Sequence, residues 1–354
     1  MKKFAFLIHP RDTSDVTRRW WITKFLPNKF VEFVIKNLKG RLGFTVCSHF
    51  KIEKLNQKAE GYIIAVLLTG EQMMRLPRKI VHKRILDAIL FCQNKLGVKI
   101  VGLGALTTSF TEGGKWIVSQ PQIKIGITHG DTYGVAVAEE GIEKILNIRN
   151  FTPKNTKIAI VGAAGLIGRE IVKFLSKKGF SLILIEKTEE KINFIKKKLK
   201  EINLENKILL ASTNLKDIFS TDLVITTTSH PSSLLKTEYL KKGVIIYDLA
   251  QPMNVSPELI KKRPDIIKID GAYVNIEGID LKFNMGPPKG TTFACLVETI
   301  MMALEGDKSH HVGEIDEKYL EKTKEWAKKY GFCHAPFTSF GKPISFNFLI
   351  QKND

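Results

Sequence analysis

Five short runs dominated by Ile, Val and Leu follow one another between Lys157 and Ala250: KIAIVG, SLILIEK, KILLAS, DLVITTT and GVIIYDLA. The first two are each followed by helical sequence, GLIGREIVKFLSKKG and EKINFIKKKLKEI. Strands without polar alternation need apolar cover on both faces, which a parallel sheet flanked by helices supplies. This stretch therefore fixes the fold class as α/β, with a Rossmann-like parallel sheet at its centre.

The turn after the first run is VGAAGLIG, with Gly162, Gly165 and Gly168 spaced G-x-x-G-x-x-G. A glycine turn that leaves a strand and opens a helix is the setting of a dinucleotide site. Gly162 permits the tight turn, Gly165 lets backbone approach a pyrophosphate, and Gly168 lets the helix pack closely on the sheet. Ala163, Ala164, Leu166 and Ile167 complete the loop, and the helix N-terminus presents N–H groups to the phosphates. The second strand ends at Glu186, where an acid grips ribose hydroxyls and repels a 2′-phosphate. Lys187 and Thr188 follow and could hold such a phosphate, so the expected cofactor is NADPH, with NADH open. Thr227 and Thr228, ending DLVITTT, are expected to border the nucleotide, as is the end of GVIIYDLA, Asp248 onward. His230 is assigned to a turn rather than to chemistry.

Residues 1–152 read as an N-terminal α/β substrate-binding domain, with KFAFLIH, EGYIIAVLL, VKIVGLGAL and KIGITHGD as strands and VEFVIKNL, HKRILDAILFCQNKLG and TYGVAVAEEGIEKILNI as helices. FTPKNTK is a linker. Residues 153–275 form the Rossmann NAD(P)-binding domain and 276–354 a C-terminal helical segment. No apolar run is long enough to span a bilayer, and FAFLI is too short for a signal peptide, so a cytoplasmic location is expected. The net charge of +19 reflects lysine-rich helix faces or an acidic partner. No nucleic-acid-binding signature is present. RRWWITKFLPNKFVEFVIKNLKG, residues 18–40, mixes arginine and tryptophan as interfacial helices do. A core helix with a basic outer face is preferred, and peripheral membrane contact is the alternative. The four cysteines, Cys47, Cys92, Cys295 and Cys333, lack metal-ligand spacing, so no metal is expected.

Cys295 lies in GPPKGTTFACLVETIMMALEG, residues 286–306. With Thr291 or Thr292 as N-cap, it falls in the first turn of an apolar helix. There the helix dipole favours a thiolate, although a free cysteine is also an ordinary small hydrophobe. FACLVETIMMALEG resembles the segment around the active-site cysteine of the cyanobacterial long-chain acyl-(acyl carrier protein) reductases, which form aldehydes. VGAAGLIG is similar to that family's cofactor loop, IVGLGALTTSFTEGG (100–114) to its G-x-x-S/T-S loop, and THGDT (128–132) to its T-T-G-N-T segment. Here His129 and Asp131 replace a threonine and an asparagine. The matching blocks keep the family's order from about residue 60 to 335.

The resemblance implies an NAD(P)H-dependent reduction of an acyl thioester through a Cys295 acyl-enzyme, with acyl carrier protein or coenzyme A as the thioester partner. It makes Thr107, Thr108, Ser109, Thr128 and Asp131 substrate or oxyanion candidates, and His129 a proton donor or, equally, a loop histidine without chemical role. Cys47, Cys92 and Cys333 are read as structural. Two alternatives stay open. One is a shikimate-type or amino-acid dehydrogenase without covalent catalysis; for the lysine–aspartate pair of the shikimate enzymes the first 150 residues offer no convincing counterpart, with Lys99 and Asp131 left open. The other is a nucleotide-binding sensor or scaffold without turnover.

Overall fold

The five apolar runs become five strands of a six-stranded parallel sheet. In chain order the strands are β6 (Ile158–Val161), β7 (Leu182–Ile185), β8 (Ile208–Ser212), β9 (Leu223–Thr226), β10 (Ile245–Asp248) and β11 (Ile267–Asp270). Their spatial order is β11-β10-β9-β6-β7-β8, with every pair parallel. This is the doubly wound order of dinucleotide-binding folds, whose switch point lies between β6 and β9. Side chains alternate between two cores. Ile158, Ile160, Leu182, Leu184, Leu223 and Ile225 face one, and Ala159, Val161, Ile183, Ile185 and Val224 the other. Both faces are dry over β6, β7 and β9, which explains their absence of polar alternation, whereas Leu209 and Leu210 on the edge strand β8 are exposed.

The computed structural model describes residues 1–230 and 233–345, so the end of the expected C-terminal segment lies outside the described residues. The chain forms two units. Unit two comprises Gly134–Asn275, Gly286–Thr291 and the residues from Cys333 on. It starts inside the helix Asp131–Ile148 rather than at FTPKNTK, because Ile142, Ile145 and Leu146 of that helix pack into the core of the parallel sheet.

Unit one comprises Met1–Tyr133, Ile276–Met285 and Thr292–Phe332. Its sheet runs β2-β3-β1-β4-β5. The strands are β1 (Lys2–Ile8), β2 (Phe44–Lys54), β3 (Gln57–Val66), β4 (Ile100–Leu103) and β5 (Gly126–Thr128). All neighbours are parallel except β2 and β3, which form a hairpin. The helices Ala294–Glu305 and Glu317–Tyr330 belong to this unit, and the first packs on β1 and β4. The C-terminal segment is thus shared between the two units instead of forming a third.

The stretch 18–40 differs from the preferred core helix. The helix Asn28–Asn37 buries Val31 and Ile35 against Val16, yet Phe30, Phe33 and Val34 face outward and are exposed. Its outer face is aromatic as well as basic. Among the described residues no helix is long and apolar enough to cross a membrane.

Candidate active site

Cys295 opens the Ala294–Glu305 helix, but its N-cap is Phe293 and not a threonine, since Thr291–Phe293 is extended. Phe293 provides no side-chain cap, so the first-turn N–H groups lack that partner. The thiol is half-buried, whereas the next nine residues of the helix are buried. Thr299, one turn on, donates its hydroxyl to the Cys295 carbonyl at 3.0 Å.

The loop after β5, Thr128–Thr132, lies against this cysteine. Gly130 has φ +72°, and a Cβ there would fall 2.4 Å from the Cys295 Cβ and 2.6 Å from its Cα. The loop is held by Glu298, a fully buried acid on the cysteine's own helix. Glu298 accepts the Thr128 hydroxyl, the Tyr133 N–H at 2.7 Å and the Tyr319 hydroxyl at 3.4 Å. Thr128 in turn accepts the Gly130 N–H at 3.0 Å. Buried His129 is fixed from two sides. Its N–H donates to the His311 carbonyl, and its Nδ1 accepts the Asp131 N–H at 2.9 Å, which places a neutral ring's proton on Nε2.

The expected lowering of the thiol pKa is overturned. Burial raises it, and the charge of Asp131 raises it further, against the opposing N–H groups of Leu296 and Cys295 itself. A helix terminus stabilises a thiolate by at most about 2 kcal/mol, which desolvation readily exceeds. Asp131 is pushed up to about 7 by burial and then by the charge of Glu298. Glu298 is likewise pushed up to about 7, chiefly by burial. The centre is therefore a protonated thiol beside a carboxyl that changes charge near neutrality.

The other sequence candidates lie nearby in the chain with different duties. Thr107 donates to the Gly104 carbonyl at 2.7 Å and Thr108 to the Leu103 carbonyl at 3.1 Å, so both donors are used in tying their loop to β4. Ser109 is exposed. Lys99 is exposed at the entry end of β4, while Asp131 lies beyond the exit end of β5. Cys92 is buried, with its thiol pushed up to about 12 by burial. Cys47 is half-buried and Cys333 exposed.

In unit two the glycine loop lies at the switch point. Gly162 has φ +90°, and Thr227 from the end of β9 donates to its carbonyl at 2.9 Å. A Cβ on Gly168 would meet that same carbonyl at 2.2 Å, whereas one on Gly165 would meet it only at 3.3 Å. The loop is closed against the sheet and open at its crest, as a bound pyrophosphate requires. Ala163 is buried, and Leu166 and Ile167 start the helix Leu166–Lys177. Glu186 is buried, and its Oε1 accepts the Ala164 N–H at 2.7 Å. Lys187 is exposed, and Thr188 caps the following helix through the Lys191 N–H. Thr228 donates to Asn254 Oδ1 at 2.8 Å and accepts the His230 N–H. Asp248 accepts the Thr226 hydroxyl at 2.6 Å and the N–H groups of Asn254 and Val255.

Two residues escaped the sequence reading. Glu298 had a usable signal, an acid in the interior of an apolar helix three residues from Cys295. Asn254 had none. Its buried Nδ2 is without a hydrogen-bond partner in the structure, at the strand ends where a nucleotide would lie.

Residues 144–271 match the Shikimate / quinate 5-dehydrogenase family, which covers the last turn of the helix Asp131–Ile148 and the parallel sheet. Three curated proteins are similar over longer stretches. Aminotransferase PigE of Serratia sp. is 24% identical over 80% of this chain and 33% of its own. Glutamyl-tRNA reductase of Thermosipho melanesiensis is 25% identical over 66% of this chain and 56% of its own. Very-long-chain aldehyde decarbonylase GL1-2 of Oryza sativa subsp. indica is 25% identical over 73% of this chain and 39% of its own. The chain thus spans a third to about half of these relatives. Over the parallel-sheet region it is distantly homologous to NAD(P)-binding dehydrogenases and reductases.

Proposed function

We propose that the chain reduces a long-chain acyl thioester to an aldehyde with NAD(P)H, through an acyl-enzyme on Cys295. The observation that carries this reading is the placement of Cys295 against the Gly130 backbone, next in sequence to Asp131, whose charge acts on the thiol. A protonated thiol is a poor nucleophile, but a carboxylate with a pKa of about 7 can take its proton during attack. In this sequence the Cys295 proton passes to Asp131 as Sγ adds to the thioester carbonyl. The carrier thiolate then leaves and takes a proton from solvent, while the acyl group stays on sulfur and the Cys295 proton stays on Asp131. The first-turn N–H groups of the Ala294–Glu305 helix are suited to the oxyanion. The Thr128 hydroxyl is not, because it donates to Glu298.

Gly162, Gly165, Gly168 and Glu186 would hold the nicotinamide dinucleotide, which supplies hydride, two electrons at a time. Hydride delivered to the acyl carbon would leave a hemithioacetal oxyanion on Cys295, which collapses to free the aldehyde, and the departing thiolate takes back the proton held on Asp131. Two of the relatives bear names that suit this chemistry, one a reductase of an acylated tRNA and the other an enzyme of very-long-chain aldehydes. The thioester carrier is read as acyl carrier protein or coenzyme A. Both are anionic and complement a chain of net charge +19. The lysine–aspartate alternative is disfavoured by the opposite strand ends of Lys99 and Asp131.

Mass spectrometry after incubation with long-chain acyl thioesters, in the absence of reduced cofactor, tests the mechanism. A stable acyl adduct on the wild type that is missing from Cys295→Ser is expected. If neither carrier-protein nor coenzyme A thioesters of several lengths leave an adduct, covalent catalysis is refuted.

A further inference from the structure

Between Val16 and Gly43 the sequence holds seven arginines and lysines against one acid, Glu32. The structure sets an apolar surface among them. Trp21 and Ile22 of the short 3-10 turn Trp21–Phe25 are more than 60% exposed, Phe25 is 78% exposed, and Leu42 is 68% exposed. On the helix Asn28–Asn37, Phe30, Phe33 and Val34 form a second exposed stripe. The opposite face of that helix is already used, since Val31 and Ile35 bury themselves against Val16 and Leu38. A helix that is apolar on both sides has its outer side matched to something other than water. Helical spacing sets exposed Lys29 and Lys36, seven residues apart, along one border of the Phe33 stripe. Exposed Lys24, Lys39 and Arg41 lie at its ends in sequence.

We propose that residues 20–42 dock the protein onto the surface of an anionic lipid bilayer. The occupant follows from composition and charge together. Tryptophan and phenylalanine favour the bilayer interface, and flanking lysines are attracted to anionic headgroups. A second copy of the chain meets this surface poorly. A twofold interface would bring the same lysines face to face with only Glu32 to neutralise them. An acidic soluble protein would answer the lysines but would leave large exposed aromatics without an apolar counterpart. This inference rests on the surface alone and is independent of the reaction at Cys295.

Flotation of the full chain with phosphatidylcholine vesicles, and with the same vesicles carrying phosphatidylglycerol, tests it. Binding is expected on the anionic vesicles only and should weaken as salt rises. Trp20 and Trp21 fluorescence should shift to the blue on binding. The double variant Phe25→Ser/Phe33→Ser changes exposed positions and should keep the wild-type melting temperature while binding vesicles at least about tenfold less tightly. Wild type that ignores anionic vesicles, or a folded double variant that binds as well as wild type, overturns the proposal. It is also overturned if sedimentation velocity shows a wild-type dimer that the double variant converts to monomer without vesicle binding. Capture by an acidic carrier protein but not by vesicles overturns it in favour of a protein partner.

Discussion

The backbone of Gly130 lies directly against Cys295, so close that any side chain on residue 130 would occupy the cysteine's own space. The left-handed φ of +72° adds to this restriction. A non-glycine residue in that conformation costs roughly 1–2 kcal/mol before any clash is counted. Gly130→Ala should therefore lower stability by about 1–3 kcal/mol and suppress acylation of Cys295 even where the protein remains folded. Gly134→Ala, four residues along, is the matched control. Its Cβ would meet only Ile167, at 3.9 Å, and a helical glycine gains about 0.5–1 kcal/mol on becoming alanine. Denaturant midpoints and adduct yields for the two variants should move in opposite senses. Equal behaviour would mean that the Gly130 contact is not what shapes the loop.

The pairing of Asp131 with the thiol predicts a particular pH profile. The acylation rate should rise with pH and level off above about 7, where Asp131 becomes a base. Asp131→Asn should remove that rise and slow acylation at neutral pH by about 10²–10⁴-fold. The competing expectation is of opposite sign. If Asp131 only burdens the thiol with its charge, its removal lets Cys295 ionise more easily and acylation at pH 7 becomes faster. Rapid-quench acylation rates across pH 5–9 decide between them, and a faster Asp131→Asn enzyme would rule out the base.

Asp131 and Glu298 also couple stability to pH. Both carboxyls are raised to about 7 in the folded protein, from ordinary values near 4. Between those limits the folded state binds more protons than the unfolded state, so stability falls as pH rises. The contribution is fully present below about 4 and is lost by the time pH passes about 7. Urea midpoints should accordingly decline from pH 5 to pH 8, and Glu298→Gln should flatten the decline. Because the glutamine keeps only one of the two oxygens that accept from Thr128 and Tyr133, its overall midpoint should drop while the slope shrinks. A slope unchanged in both Glu298→Gln and Asp131→Asn would contradict the assignment.

What was legible in the sequence was local. The parallel sheet could be read because its strands are apolar on both faces, and the glycine loop because its geometry depends on the loop's own residues. Strand β2 was missed for an identifiable reason. A bulge between Val46 and Ser48 breaks the two-residue period, so Phe44 and Val46 join one core while Phe50 packs edge-on against Phe4. Glu298 gains its meaning from Thr128 and Tyr133, 170 and 165 residues away in sequence, and no pattern within its helix announces them. The direction of the thiol shift failed for the same kind of reason. The dipole of a helix terminus is visible in sequence, whereas the burial that outweighs it is tertiary.

Cofactor choice turns on Glu186, whose charge is expected to oppose a 2′-phosphate and so to weigh against NADPH. Its buried carboxylate is tied to the Ala164 N–H at 2.7 Å, so it cannot easily swing away from a 2′-phosphate. Thr188 is engaged as a helix cap, and the basic counterweights to Glu186 are exposed Lys187 beside it in sequence and Lys191, whose Nζ lies 3.5 Å from its Oε2. Two unit charges about 4 Å apart interact by about 4 kcal/mol at an effective dielectric constant of 20. Even a fraction of this decides a preference, because 1.4 kcal/mol is tenfold in affinity. Fluorescence titration should show wild type binding NADH more tightly than NADPH. Glu186→Ser should weaken both, since the loop loses its acceptor for Ala164, but move the ratio toward NADPH by at least about tenfold. The ratio separates the two effects: loosening of the loop acts on both cofactors alike, and only the lost charge distinguishes them. A ratio that stays fixed while both affinities fall would make Glu186 a brace for the glycine loop with no part in selecting the cofactor.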